Sequence, residues 1–396
     1  MRTRDQFRKS LLMAGAALAL LAPGAQAKSL QVLYDFQDLS DGAYPEAGVI
    51  MDKAGNLYGT TLEGGTGNCY EDGGCGTVFK LAPDGTKTIL YSFLGGNDGS
   101  GPHGLVMDKA GNLYGVTSAG GGTGCFDGYG CGTVFEVAAD GTETVLHVFE
   151  GGTDGEEPSG GLIMDKKGNL YGTTGDTVFR IGAGGKEKPL HYFSGGDGFE
   201  IGPVTLVRDK AGNFYGTTQD GGAYRYGTVF KLSPGGTETV LYSFTGGSDG
   251  GGPYAGVIID ASGNLYGTTP YDGDISCDYG EGCGTVFKLA PDGTETTLYT
   301  FTDTGVNANP MAGLTMDGAG NLYGTTYGFS AGAVFKLAAG GTEKLLYTFT
   351  GGDDGSQPLG GVILDGKGHL YGTTSGGGGG DCNNGFGCGA VFELAR

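Results

Sequence analysis

The chain has 396 residues, among them 88 glycines, eight cysteines and no tryptophan, and its formal net charge is −21. So acidic a surface repels phosphate backbones, and no basic run could form a groove, which excludes nucleic acid as a partner. Glycine and proline supply 101 residues, a share that in an aperiodic chain would mean low complexity. This chain is periodic.

Residues 1–27 read as an export signal. Arg2, Arg4, Arg8 and Lys9 form a basic start, Leu11 to Leu21 an apolar run, and Ala25-Gln26-Ala27 a small-residue cleavage site. The apolar run is about half the roughly 20 residues that span a bilayer, and no later segment is long enough. We therefore expect an exported protein, periplasmic or extracellular, with no membrane span. Without the signal, Lys+Arg falls from 23 to 19 and Asp+Glu from 44 to 43, leaving −24.

Next comes an isolated strand-like run, "QVLYDF", at 31–36, followed by repeats. "DKAGNLYGTT" begins at Asp52 and returns in variant form at Asp108, Asp165, Asp209, Asp260, Asp317 and Asp365. Each copy carries apolar segments in one order; in the first they are 49–51 with the leading Gly48, 56–61, 76–81 and 88–93. They are short, β-branched and aromatic, and bounded by Gly, Asp, Asn or Pro, which predicts strands. "MDKAGN" and "APDGT" between them have turn chemistry, and no stretch has a helical period. Seven units of four antiparallel strands predict an all-β, seven-bladed β-propeller. Its blades are 37–93, 94–149, 150–193, 194–244, 245–301, 302–349, and 350–396 completed by 28–36. Adjacent large residues such as Leu57-Tyr58 and Val78-Phe79 suit sheets buried on both faces. The last copy ends at "GAVFELAR" without a fourth strand, so residues 31–36 should fill that place and close the ring, leaving no open edge.

On "GNLYGTT", on runs like "GTVFKLAPDGTETVLYSF", and on "GGxDGxxP" followed by "GGLIMD", residues 30–396 resemble the bacterial GloVer tandem repeat, named for Gloeobacter and Verrucomicrobia. The resemblance implies an exported tandem-repeat protein and no established activity.

In such a blade the first–second and third–fourth turns share one rim and scarcely vary between copies. The second–third loops share the other rim with the blade-to-blade connections, and are 14, 14, 2, 8, 14, 5 and 14 residues long. Variable loops on a rigid scaffold are where binding residues concentrate. The four 14-residue loops hold all the cysteines, as Cys69/Cys75, Cys125/Cys131, Cys277/Cys283 and Cys382/Cys388. A zinc site would need about four ligands, whereas each loop offers two and no nearby histidine. In an exported chain these read as four local disulfides, worth roughly 2 kcal/mol each by chain entropy.

Beside them stand the candidate ligand-binding residues: Tyr70, Asp72, Phe126, Tyr129, Tyr279, Glu281 and Phe386, with Tyr224, Arg225 and Tyr226 in a shorter loop. Exposed rings next to polar groups can stack on sugars or anchor a protein. The competing reading has them fold back over glycine-rich backbone. Catalysis has one candidate, His103, in a connection at the channel mouth, and a histidine without a paired base makes no constellation. His147 and His191 fall in outer strands, and His369 replaces a turn asparagine. "GGTDGEEP" and "GGDDGSQP" lack calcium-loop spacing, so Asp154 and Asp354 are expected to cap turns, and no metal or cofactor is expected. The resulting expectation is a monomeric, non-enzymatic protein that recognises a carbohydrate, or a cell-envelope or extracellular protein, through one stapled rim. The alternatives are an extracellular carbohydrate-active lyase or hydrolase around His103, and a structural envelope protein.

Overall fold

The computed structural model describes residues 29–69, 73–125, 128–274, 277, 282–302, 305, 307–328, 330–382 and 385–395. The predicted export signal lies outside these residues.

Blade 1 shows how the repeat folds. Asp52 Oδ1 accepts the backbone N–H groups of Ala54 and Asn56, both at 2.9 Å, while Oδ2 accepts Asn56 Nδ2 at 2.7 Å and the Tyr58 hydroxyl at 3.1 Å. One carboxylate thus organises the whole turn, and Gly55 supplies the positive φ of 85° that the turn needs. The turn joins Ile50–Met51, the innermost strand, to Leu57–Thr61; Thr77–Leu81 and Lys87–Ser92 follow outward. Six further sheets repeat this order, with Ser100–Pro102 added to blade 2. Among the described residues there is no α-helix, and no helix is long and apolar enough to cross a membrane.

Each third–fourth strand pair contains a bulge, between Val78 and Phe79 in blade 1 and between Val145 and His147 in blade 2. The closing pair has it too. Leu30–Asp35 runs antiparallel to Ala390–Leu394, with Gln31 opposite Glu393, Tyr34 opposite Val391, and the register shift between Val32 and Tyr34. The N-terminal strand is therefore the fourth strand of blade 7, one residue earlier than the sequence placed it.

The core lies in the seams between blades. Phe36 and Phe79 pack edge-to-face at 5.4 Å across the closing seam, as Phe93 and Phe135 do at 5.0 Å across the next. The repeated "LYGTT" glycine makes room for this. A Cβ on Gly59 would meet Phe79 Cζ at 2.7 Å, so any larger residue would displace the ring from the seam.

Candidate functional site

All four expected disulfides are present, and the described residues contain no free cysteine. Cys75, Cys131, Cys283 and Cys388 are buried within seam clusters. Their carbonyls accept N–H groups from the next blade-to-blade connection: Gly101 to Cys75, Glu157 to Cys131, Asn309 to Cys283 and Tyr44 to Cys388. Each disulfide therefore braces the point from which the next connection hangs. Gly175, Tyr226 and Ala331 accept the corresponding bonds in the three loops that lack cysteine. These bonds also place the loops and connections on one rim.

The residues where the connections turn inward are strained. Tyr44, Glu157, Asn309 and Gln357, each just before a proline, have φ of 58°, 53°, 53° and 55°; Glu200 occupies the matching place at 53°. Left-handed backbone at such residues costs of order 1–3 kcal/mol each. It delivers the residues that follow to the channel mouth, where Glu46, His103, Ser159, Pro203, Tyr254, Met311 and Leu359, one from each blade, line a cavity of about 510 Å³. That volume suits a small ligand or one end of a larger one.

The mouth is acidic and partly desolvated. Burial pushes the His103 imidazole down to about 4, so it is neutral at pH 7. Burial and the neighbouring Glu63 hold Glu46 above the usual carboxylate range. Tyr254 is raised by burial and then by Glu46, and Glu157 by burial, Glu156 and Glu200. Among the described residues no acid acts on His103, whose shift has burial as its one cause.

Of the rim residues singled out from sequence, Tyr129, Tyr224 and Phe386 stand out from the surface, 66, 58 and 75 % exposed. Arg225 takes a left-handed φ of 68° between Tyr224 and Tyr226. Tyr226 lies against Gly246 and Gly251 while remaining 43 % exposed. Tyr70, Asp72, Phe126, Tyr279 and Glu281 lie outside the described residues. Glu46, Ser159 and Tyr254 were missed, as was Phe199, exposed on a connection. Their signal was present: the residue after the repeated proline is Glu46, His103, Ser159, Tyr254, Met311 or Leu359, different in every copy of an otherwise regular unit.

Seven antiparallel sheets ringing a channel, with one variable, disulfide-braced rim, define a seven-bladed β-propeller. The chain belongs to the Gloeobacter/Verrucomicrobia repeat family, which matches residues 20–198 and 175–392. Comparison with curated proteins finds no match. Similar solved structures include virginiamycin B lyase from Staphylococcus aureus, 15 % identical, with a TM-score of 0.64 over 93 % of this chain and 99 % of that one. Extracellular domains of two hybrid two-component systems from B. thetaiotaomicron are also similar. One is 15 % identical, with a TM-score of 0.55, covering 93 % of this chain and 41 % of that one. The other is 11 % identical, with a TM-score of 0.59, covering 92 % and 39 %. At these identities the likeness shows the fold alone.

Proposed function

We propose that this chain is an exported recognition propeller that binds a neutral carbohydrate at the variable rim and the channel mouth. The observation that carries the reading is the outward stance of Tyr129, Tyr224 and Phe386 on the rim that opens onto the mouth cavity. Rigid rings stack on sugar faces at low entropic cost, and the bracing disulfides reduce the ordering cost of binding. Below them, a neutral His103 and the groups of Ser159 and Tyr254 offer hydrogen bonds to hydroxyls. The acids at the mouth disfavour polyanionic glycans. Four disulfides fit an oxidising compartment outside the cytoplasm.

The test is a screen of the disulfide-bonded protein against neutral and acidic polysaccharides, with and without reductant. We expect saturable binding to a neutral glycan, weakened at least about ten-fold in Tyr224→Ala and in Phe386→Ala, as for an aromatic hot spot. Equal binding by both variants would refute the rim assignment.

A second reading rests on Glu46, His103 and Tyr254 sharing one cavity, which is where a lyase or hydrolase would place an acid and a base. Release of shorter products from a bound glycan, abolished in His103→Ala and Glu46→Gln, would replace simple recognition with catalysis.

A further inference from the structure

Around the outside of the ring several of the described seams share one polar arrangement. A tyrosine near the end of a fourth strand donates to an aspartate in the following connection: Tyr91 to Asp98 at 2.8 Å, Tyr242 to Asp249 at 3.0 Å and Tyr347 to Asp354 at 2.9 Å. The first residue of the next blade's fourth strand comes alongside. It is Lys87 at the closing seam, 3.7 Å from Asp41, and Glu143 at the seam after it, beside Asp98.

Two neighbouring seams differ, because histidine replaces tyrosine. His147 Nε2 lies 3.2 and 3.3 Å from the two oxygens of Asp154, and His191 Nε2 lies 2.9 Å from Asp197 Oδ2. Glu187 and Glu238 complete the two groups, and in each the imidazole nitrogen and one oxygen per acid all lie within 4.8 Å of one another. The Oε1 atoms of Glu187 and Glu238 are buried and have no hydrogen-bond partner. Phe149 and Phe193 pack edge-to-face on the imidazoles, at 4.8 and 4.6 Å, and fix their orientation. Each histidine side chain remains about one-fifth exposed, enough for an ion to enter from solvent.

One imidazole nitrogen and two carboxylate oxygens form a donor set of the zinc class, with a fourth position left for water. Ligands about 2.0–2.1 Å from a tetrahedral ion sit about 3.3 Å apart, close to the separations between His147 and Asp154. Lys87 at the closing seam shows that this fold already holds a cation beside the same aspartate position. A tyrosine hydroxyl meets the aspartate's need for a donor elsewhere, so histidine adds metal affinity without any packing requirement for it.

We propose that the histidine seams are two equivalent binding sites for a divalent transition ion of the zinc class, one held by His147, Asp154 and Glu187, the other by His191, Asp197 and Glu238. The ion ties blade 2 to blade 3 and blade 3 to blade 4.

The experiment is calorimetric titration of the untagged, EDTA-treated chain with zinc chloride, with bound metal counted by elemental analysis. We expect two zinc ions per chain, one in His147→Tyr or His191→Tyr, and none in the double variant. Tyrosine is the residue that other seams use, so these variants should keep the fold, as near-unchanged circular dichroism would verify. Glu187→Gln with Glu238→Gln provides a second test, with affinity falling at least about ten-fold. His369→Asn, which restores the turn residue of the other copies, should still bind two. No zinc on the wild-type chain, or two ions retained by the double tyrosine variant, would overturn the proposal.

Discussion

At the scale of single residues, the seams carry a charge conflict that pH should reveal. Glu143 is held up to about 7 by burial and by the Asp98 carboxylate, and its Oε1 is buried without a partner. Asp98 itself is occupied by the Tyr91 hydroxyl and the Leu94 N–H. The folded value exceeds the unfolded one of about 4.5, so the protonated glutamate favours the folded state. Its contribution is full below about pH 4.5 and is lost as pH rises through about 7. Glu143→Gln keeps the neutral shape, so its Tm should match wild type at pH 5 and exceed it at pH 8. A gain of about 1–2 °C is expected once partial exposure is discounted. Equal shifts at the two pH values would contradict this assignment. None of this was readable from "GTET" and its relatives, because the acid that opposes Glu143 is Asp98, far away in sequence in the connection that enters the blade.

At the scale of elements, the decisive piece is the strand Leu30–Asp35. It makes the same bulged pairing with Ala390–Leu394 that the other fourth strands make with their neighbours, and it leads into Phe36, fully buried against Phe79. Removing residues 29–36 would open the ring at both the sheet edge and the seam. We expect the shortened chain to lose its cooperative transition, and Phe36→Ala alone to cost about 3–5 kcal/mol in chemical denaturation. An unchanged transition in either would contradict closure by this strand. Strands, turns, closure and disulfides were legible in the sequence because each is local and repeated. The missing fourth strand at Arg396 and the spare one at Gln31 needed only to be counted. The strained connections were not legible, since Tyr44, Glu157 and Glu200 are not residues that advertise a left-handed turn. Tyr44 and Glu157 adopt theirs while donating to a neighbouring blade.

At the scale of the whole molecule, the propeller separates its labour by rim. One rim repeats the Asp52 turn with little change. The other gathers the loops, the disulfides, the exposed rings and the seven different residues at the mouth. The rings were visible as candidates, but the convergence of Glu46, His103 and Tyr254 on one cavity depends on ring closure, which no single repeat encodes. Tyr226 shows what composition leaves out, because its ring also packs on Gly246 and Gly251. The central claim is that recognition belongs to the variable rim. Hydrogen–deuterium exchange of the protein with and without a saturating neutral glycan from the screen tests it most directly. Protection is expected in the loops around Tyr129, Tyr224 and Phe386 and in the mouth segments at Glu46, His103 and Tyr254. The turns following Asp52, Asp108 and Asp165 on the opposite rim should exchange as before. Protection confined to those turns, or absent from the loops while the glycan is bound, would contradict it.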